Sequence, residues 1–220
     1  MAQRKPKGGL SAVKRTRRPV ANLEAPELER PSLAEQKVNQ FRKRRYEAIH
    51  AGGEPKGRLG ARARIDLLLD KGSFQELDLY AKSRAVGFGM EEKRFAGDGV
   101  VAGFGLVDGR PIAVFAYDAT VLGGSLGEVT AQKIVKGQEL ALRDRVPIVG
   151  INDSGGARIQ AGVAALAGYA DIFFRHVRSS GVLPPIPVLA APAPGGAVPP
   201  PPPPALPLLA RARRPRLPAS

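Results

Sequence analysis

The chain has 220 residues, 43% of them hydrophobic, a net charge of +14 and no cysteine. That length and apolar content suffice for one large domain or two small ones. The lack of cysteine excludes a disulfide framework, a thiolate zinc site and a cysteine nucleophile. No apolar run approaches ~18 residues, so no membrane-spanning helix is predicted. The charge sits at the ends. Residues 1–20 hold seven Lys/Arg and no acid, and Arg211, Arg213, Arg214 and Arg216 close the chain, again without an acid. Without those eleven the body carries only +3, so basic tails flank a nearly balanced core and no specific nucleic-acid role is expected.

Residues 1–31 contain Pro6, Pro19, Pro26 and Pro31 and little periodicity, which predicts a basic disordered arm. No apolar h-region follows the basic start, so no secretory signal is expected. Cytoplasmic placement is the expectation. The alternative is an organellar matrix, because the arm is Arg-rich and acid-free like a transit peptide, though short of hydroxyl residues.

Ser32-Leu33-Ala34-Glu35 fits a capping box. A helix is predicted from there to about His50, with Leu33, Val38, Phe41 and Ile49 on a modest apolar face. Its basic run Arg42–Arg45 is either a solvated face or a contact for phosphates. Arg58–Asp70 predicts a second helix with Ile65, Leu68 and Leu69 buried, closed by Lys71-Gly72. Ser73–Leu79 reads as a short strand and Ala85–Gly97 as a surface loop. Asp108-Gly109 between Gly99–Val107 and Arg110–Tyr117 predicts a type I′ hairpin, since both turn residues must take positive φ. A helix is predicted from the Gly123-Gly124-Ser125-Leu126-Gly127 turn to about Arg143. Its buried stripe is Val129, Ile134, Val135, Gln138 and Leu142, with Lys133 and Lys136 facing away.

Val146–Ile151 is an apolar, β-branched run that stops at Asn152-Asp153-Ser154-Gly155-Gly156, a buried strand entering a loop. Beyond Ala157 the pattern turns helical, with Ile159, Val163, Leu166, Ala167, Ala170 and Phe174 on one face. Ile186–Ala190 would add a strand. Fourteen of the 21 prolines lie in residues 184–220, six of them consecutive from Pro199 to Pro204, which predicts polyproline II and disorder. The element order fits a repeated sheet-and-helix spiral, and a doubly wound sheet would read much the same.

Two glycine turns therefore open helices. Such turns gather free main-chain N–H groups able to hold an oxygen or an anion; each could equally be a tight connection needing glycine for its angles. Arg158 could pair with a carboxylate or phosphate, or face solvent. The Gly123–Gly127 turn lacks the Lys-Ser/Thr of a phosphate-binding P-loop. Asp153-Ser154-Gly155-Gly156 is also similar to the nucleophile loop of chymotrypsin-like proteases, but a serine nucleophile needs a base in reach. The only histidines, His50 and His176, are poorly placed for it.

Taken together, RIDLLLDKGSF (64–74), GDGVVAGFG (97–105), VLGGSLGE (121–128), INDSGGARIQ (151–160) and LAGYADIFFR (166–175) closely resemble the N-terminal half of the β subunit of biotin-dependent acyl-CoA carboxyltransferases, the family of the propionyl-CoA carboxylase β chain. The resemblance implies an α/β, crotonase-like fold of ββα units, incomplete at the C-terminus. It implies transfer of a carboxyl group from carboxybiotin to the α carbon of a short acyl-CoA such as propionyl-CoA. The biotin sits on a separate carrier domain or subunit, so the expected partners are a biotin carboxylase/biotin carrier subunit and further copies in a homo-oligomer, with no metal and no membrane. Substrate-binding residues carried over are Gly123, Gly124, Ser125, Ser154, Gly155, Gly156, Ala157 and Arg158. The expected oxyanion donors are the Gly195 and Gly196 amides.

Departures from the family pattern lower the expected activity. Pro194 stands where the family uses an amide donor, and one such donor is worth about 10²–10³ in kcat. Pro199–Pro204 replace a helix start, and the family's second domain is missing. The expectation is a truncated carboxyltransferase domain over residues 32–198, followed by a Pro/Arg-rich disordered tail (199–220) whose composition is that of a misread frame, with little turnover alone. The competing expectation is a non-catalytic interaction protein that pairs with intact subunits or binds anionic surfaces through its tails.

Overall fold

The computed structural model describes residues 32–55, 57–183, 185–190 and the backbone of 208–209. The basic arm and all of the Pro/Arg-rich tail apart from Leu208–Leu209 lie outside the described residues. Two compact units are present, Met1–Val38 and Asn39–Ser220. In the first, the capping box is formed: Glu35 N–H donates to Ser32 Oγ (3.2 Å) and Ser32 N–H to Glu35 Oε2 (2.8 Å), and it opens α1 (Leu33–Ile49). The apolar residues of α1 in the second unit do not form a buried face. Ala48 is buried, whereas Phe41 and Tyr46 are exposed, Phe41 lying edge-on to Tyr80.

The second unit is a sheet covered on both faces. Its elements are α2 (Ala61–Leu68), β1 (Gln75–Leu77), β2 (Val100–Val107), β3 (Arg110–Tyr117), α3 (Glu128–Asp144), β4 (Ile148–Asn152), α4 (Val163–Ser179), β5 (Pro185–Leu189) and β6 (Leu208–Leu209). The strands lie in chain order. β1, β2 and β3 pair antiparallel, and β3 to β6 pair parallel. Side chains alternate across the pleat. Val100, Ala102, Phe115 and Tyr117 therefore meet Leu126, Ile134, Tyr169 and Ile172 of the α3–α4 side, while Val101, Ile112, Val114 and Ala116 meet Ile65 and Leu69 of the α2 side. With both faces buried, these strands read as continuous apolar runs.

The hairpin turn is as expected, with Asp108 at φ 49° and Gly109 at φ 74°. Asp70, just beyond α2, fixes it from outside by accepting from the Asp108 and Gly109 N–H groups (3.1 and 2.9 Å).

Two expectations are corrected. Lys133 does not face away: it is 2% exposed, and its ammonium donates to the Val100 and Gly97 carbonyls (2.7 and 3.3 Å). Periodicity treats lysine as polar and cannot register a four-carbon stem that carries an ammonium across a core to carbonyls. The stripe on α4 is also reversed. Ala165, Gly168, Tyr169 and Ile172 are buried, whereas Val163, Leu166, Phe174 and Val177 are exposed, as is Ile159 in the preceding 3-10 turn. A Cβ on Gly168 would press on Ala131, so α3 and α4 approach through small residues, while Val163, Leu166, Phe174 and Val177 point outward.

Burial pushes the Lys133 ammonium down to about 8, partly opposed by Glu76 and Asp78. An unfolded lysine titrates near 10.4, so between about pH 8 and pH 10 the unfolded chain binds more protons and stability rises with pH. Urea unfolding should therefore show a higher midpoint at pH 9.5 than at pH 8, and Lys133→Met should lose that rise.

Candidate functional site

In a parallel sheet, ligands meet the chain beyond the carboxyl ends of the strands. β3 and β4 end side by side, Ala116 pairing with Ile151, and each passes into a glycine loop. After β3 come Asp118 to Gly127, with a 3-10 turn at Leu122–Gly124. After β4 come Asp153 to Gly162.

The two loops are joined to each other. Gly155 N–H donates to Gly123 O (2.9 Å), Leu126 N–H to Gly156 O (2.8 Å) and Arg158 N–H to Leu126 O (2.9 Å), leaving a short parallel bridge between Leu126 and Ala157. The Ser154 hydroxyl donates to Gly124 O (2.7 Å) and accepts from Gly156 N–H (3.2 Å). Leu122, Gly123 and Gly124 take successive positive φ values (48°, 67°, 66°). A side chain on Gly124 would also collide with the Asp153 carbonyl, so glycine is required there for both angle and approach.

The expected site residues are therefore brought together, but with different roles. Gly123, Gly124, Ser125, Ser154, Gly155, Gly156 and Ala157 form one cluster. The Gly155 and Gly156 N–H groups, expected to be free, are used within it; the Ala157 N–H has no acceptor among the described residues. Arg158 is not solvent-facing. It is 2% exposed, with Nη1 on Asp98 Oδ1 (2.6 Å), Nη2 on Ser125 O (2.9 Å) and Nε on Ser125 Oγ (3.3 Å). Pro194, Gly195 and Gly196 lie outside the described residues. Ser154 has no histidine partner: His50 bonds Tyr46 O, and His176 lies on Gln138 and Ile172 O.

Sequence reasoning missed the cations beside the loops. Asp153, almost fully buried, holds Arg64 (2.8 Å) and Arg58 (3.0 Å). They come from α2 and the segment before it, and a separation of 95 residues between Arg58 and Asp153 leaves no local signal. Arg58 and Asp153 line a cavity of about 210 Å³ with Pro55, Tyr117, Asp118 and Thr120. Burial and neighbouring Tyr169 push the Tyr117 phenol up, so it is neutral. The Asp118 carboxylate is held by Thr120 through its N–H (3.0 Å) and hydroxyl (2.6 Å). Because Arg64 also neutralises Asp153, Arg58, its side chain half exposed, can turn to a ligand anion without leaving a buried carboxylate unpaired. No metal-binding cluster of His, Cys, Asp or Glu occurs among the described residues, and no described helix is long and apolar enough to cross a membrane.

The arrangement is that of an α/β protein whose site is built from main-chain loops, with one anchored cation pair at the rim. Residues 53–201 match the carboxyl transferase domain, and the chain belongs to that family. It is 54% identical over 169 residues to the propionyl-CoA carboxylase beta chain of Saccharopolyspora erythraea, covering 74% of this chain and 31% of that one. It is also 54% identical over 155 residues to the methylmalonyl-CoA decarboxylase subunit alpha of Veillonella parvula, covering 70% and 30%. Among solved structures it is similar to transcarboxylase 12S with methylmalonyl-coenzyme A and methylmalonic acid bound, with a TM-score of 0.73, 40% identity and coverage of 76% and 34%. The fold is thus crotonase-like, and the chain spans about a third of the length of these relatives.

Replacing Gly124 by alanine puts a Cβ onto the Asp153 carbonyl at a positive φ. Urea unfolding should report a loss of about 2 kcal/mol or more.

Proposed function

We propose that residues 32–198 form the acyl-CoA-binding half of a biotin-dependent carboxyltransferase, acting on a short acyl-CoA such as propionyl-CoA. The observation that carries this reading is the pair of mutually bonded glycine loops at the carboxyl ends of β3 and β4, with the Arg58 cavity beside them. A rigid main-chain frame suits a reaction in which charge develops on a thioester oxygen and main-chain donors stabilise it. The Ala157 N–H is the candidate donor among the described residues, with Gly195 and Gly196 as further candidates. Biotin, borne by another chain, would supply the carboxyl group. The 54% identity to a methylmalonyl-CoA decarboxylase subunit supports carboxyl exchange with acyl-CoA as the shared chemistry, in either direction.

A second reading rests on one specific observation, the exposed apolar row Ile159, Val163, Leu166, Phe174 and Val177. A contiguous row of that kind marks an interaction surface, and it supports pairing with intact subunits of the same family. Size-exclusion with and without the full-length paralogue tests it: co-elution is expected, and independent elution removes the reading.

Propionyl-CoA titrated into the chain in a calorimeter should bind saturably. Arg58→Ala should weaken binding about tenfold, the equivalent of one charge-assisted hydrogen bond at about 1.5 kcal/mol. Carboxyl transfer from a carboxylated biotin carrier should stay far below that of a full-length subunit. Absence of saturable binding removes the substrate reading.

A further inference from the structure

Three stretches distant in sequence meet at one guanidinium. Arg158 leaves the second glycine loop and bonds Ser125 of the first through Nε and Nη2, and Asp98 through Nη1. Asp98 belongs to the turn before β2. Its carboxylate also accepts from the Thr130 N–H (3.1 Å) and hydroxyl (3.0 Å), so it caps α3 from 32 residues away where Gly127, at the N-cap, has no side chain. Asp98 takes φ 47° between Gly97 and Gly99 at 79° and 81°, a conformation unfavourable for a residue with a side chain unless that side chain is held. On the far side, the guanidinium occupies the space a Cβ on Gly127 would need.

We propose that Asp98 and Arg158 are positioning residues: their ion pair sets the spacing of the two glycine loops, and neither touches the ligand. The identity of that ligand as an acyl-CoA rests on the function proposed above. Both side chains are almost fully buried, that of Arg158 1% and that of Asp98 2% exposed, so the Arg158 charge does not reach a CoA phosphate. The loop-to-loop bonds Gly155 N–H to Gly123 O and Leu126 N–H to Gly156 O flank the Ser125 carbonyl that Arg158 grips. Losing that grip releases these two bonds before it affects the sheet. A lysine keeps the charge opposite Asp98, but one ammonium does not replace three planar donors shared between Asp98 and Ser125.

The test uses the full 220-residue chain and reads two quantities: amide hydrogen exchange by NMR and propionyl-CoA affinity by calorimetry. Arg158→Lys should exchange at the Gly155 and Leu126 amides at least tenfold faster, with Ile134 and Ile148 unchanged, and its Kd should rise at least tenfold. Ser125→Ala, which deletes the hydroxyl's bonds to Arg158 Nε and to the Leu122 carbonyl but keeps the Ser125 carbonyl that Nη2 grips, should show the same pattern to a smaller degree and decides the matter if Arg158→Lys does not fold. Uniformly faster exchange throughout the sheet and helices would reduce the pair to general stabilisation and overturn the proposal. Unchanged exchange at Gly155 and Leu126 in both variants, or locally faster exchange with an unchanged Kd, overturns it too. If the unaltered chain binds no propionyl-CoA while exchange still changes only at the loops, the acyl-CoA reading fails and the spacing role stands.

Discussion

The Asp98–Arg158 ion pair is the constraint on which the site depends. A charge pair this deeply buried repays its desolvation only when its remaining hydrogen-bonding positions are filled. Here most are: Thr130 takes the other carboxylate oxygen, and Ser125 and the Asp98 carbonyl take three further guanidinium donors. Lys133 adds a second buried cation on the same turn, satisfied by carbonyls alone. The turn before β2 is thus held from both α3 and the loop after β4. Removing one partner of such a pair costs about 3–5 kcal/mol, because the other charge is stranded. Truncating either partner therefore costs fold stability as well as the site, whereas a lysine at 158 keeps a cation opposite Asp98 and confines the loss to the loops.

This explains how the chain can present a site with so little side-chain chemistry. Three loop N–H groups, those of Gly155, Leu126 and Arg158, fix the loops to one another, and the Ala157 N–H, with no acceptor among the described residues, is held in that rigid frame. Preorganised main-chain dipoles need no rearrangement as charge develops. The rim works differently. Two arginines share one aspartate there, so one cation is structural in effect and the other can respond to an anion.

Much of this was legible in the sequence, for identifiable reasons. The Asp108-Gly109 turn, α3 and β4 follow from local pattern, and the quoted motifs carry the family. What was misread required knowledge of distant partners. Lys133 looks like a solvent-facing residue until the Gly97 and Val100 carbonyls are placed beside it. The α4 face was reversed because Ala165 and Gly168 count for little in hydrophobic periodicity, yet they let α3 come close. The Gly155 and Gly156 amides seemed free because their acceptors lie in the other loop or arise only once that loop folds. Arg58 and Arg64 were passed over because Asp153 is some ninety positions away.

The long span between Asp98 and Arg158 also orders events during synthesis. Sixty residues separate them, so at about 5–20 residues per second the carboxylate leaves the ribosome roughly 3–12 s before its cation. Thr130 is made about halfway through that interval and can cap the nascent α3 on Asp98 first. Until the second glycine loop is translated, the Asp98 carboxylate has Thr130 to cap but lacks its arginine.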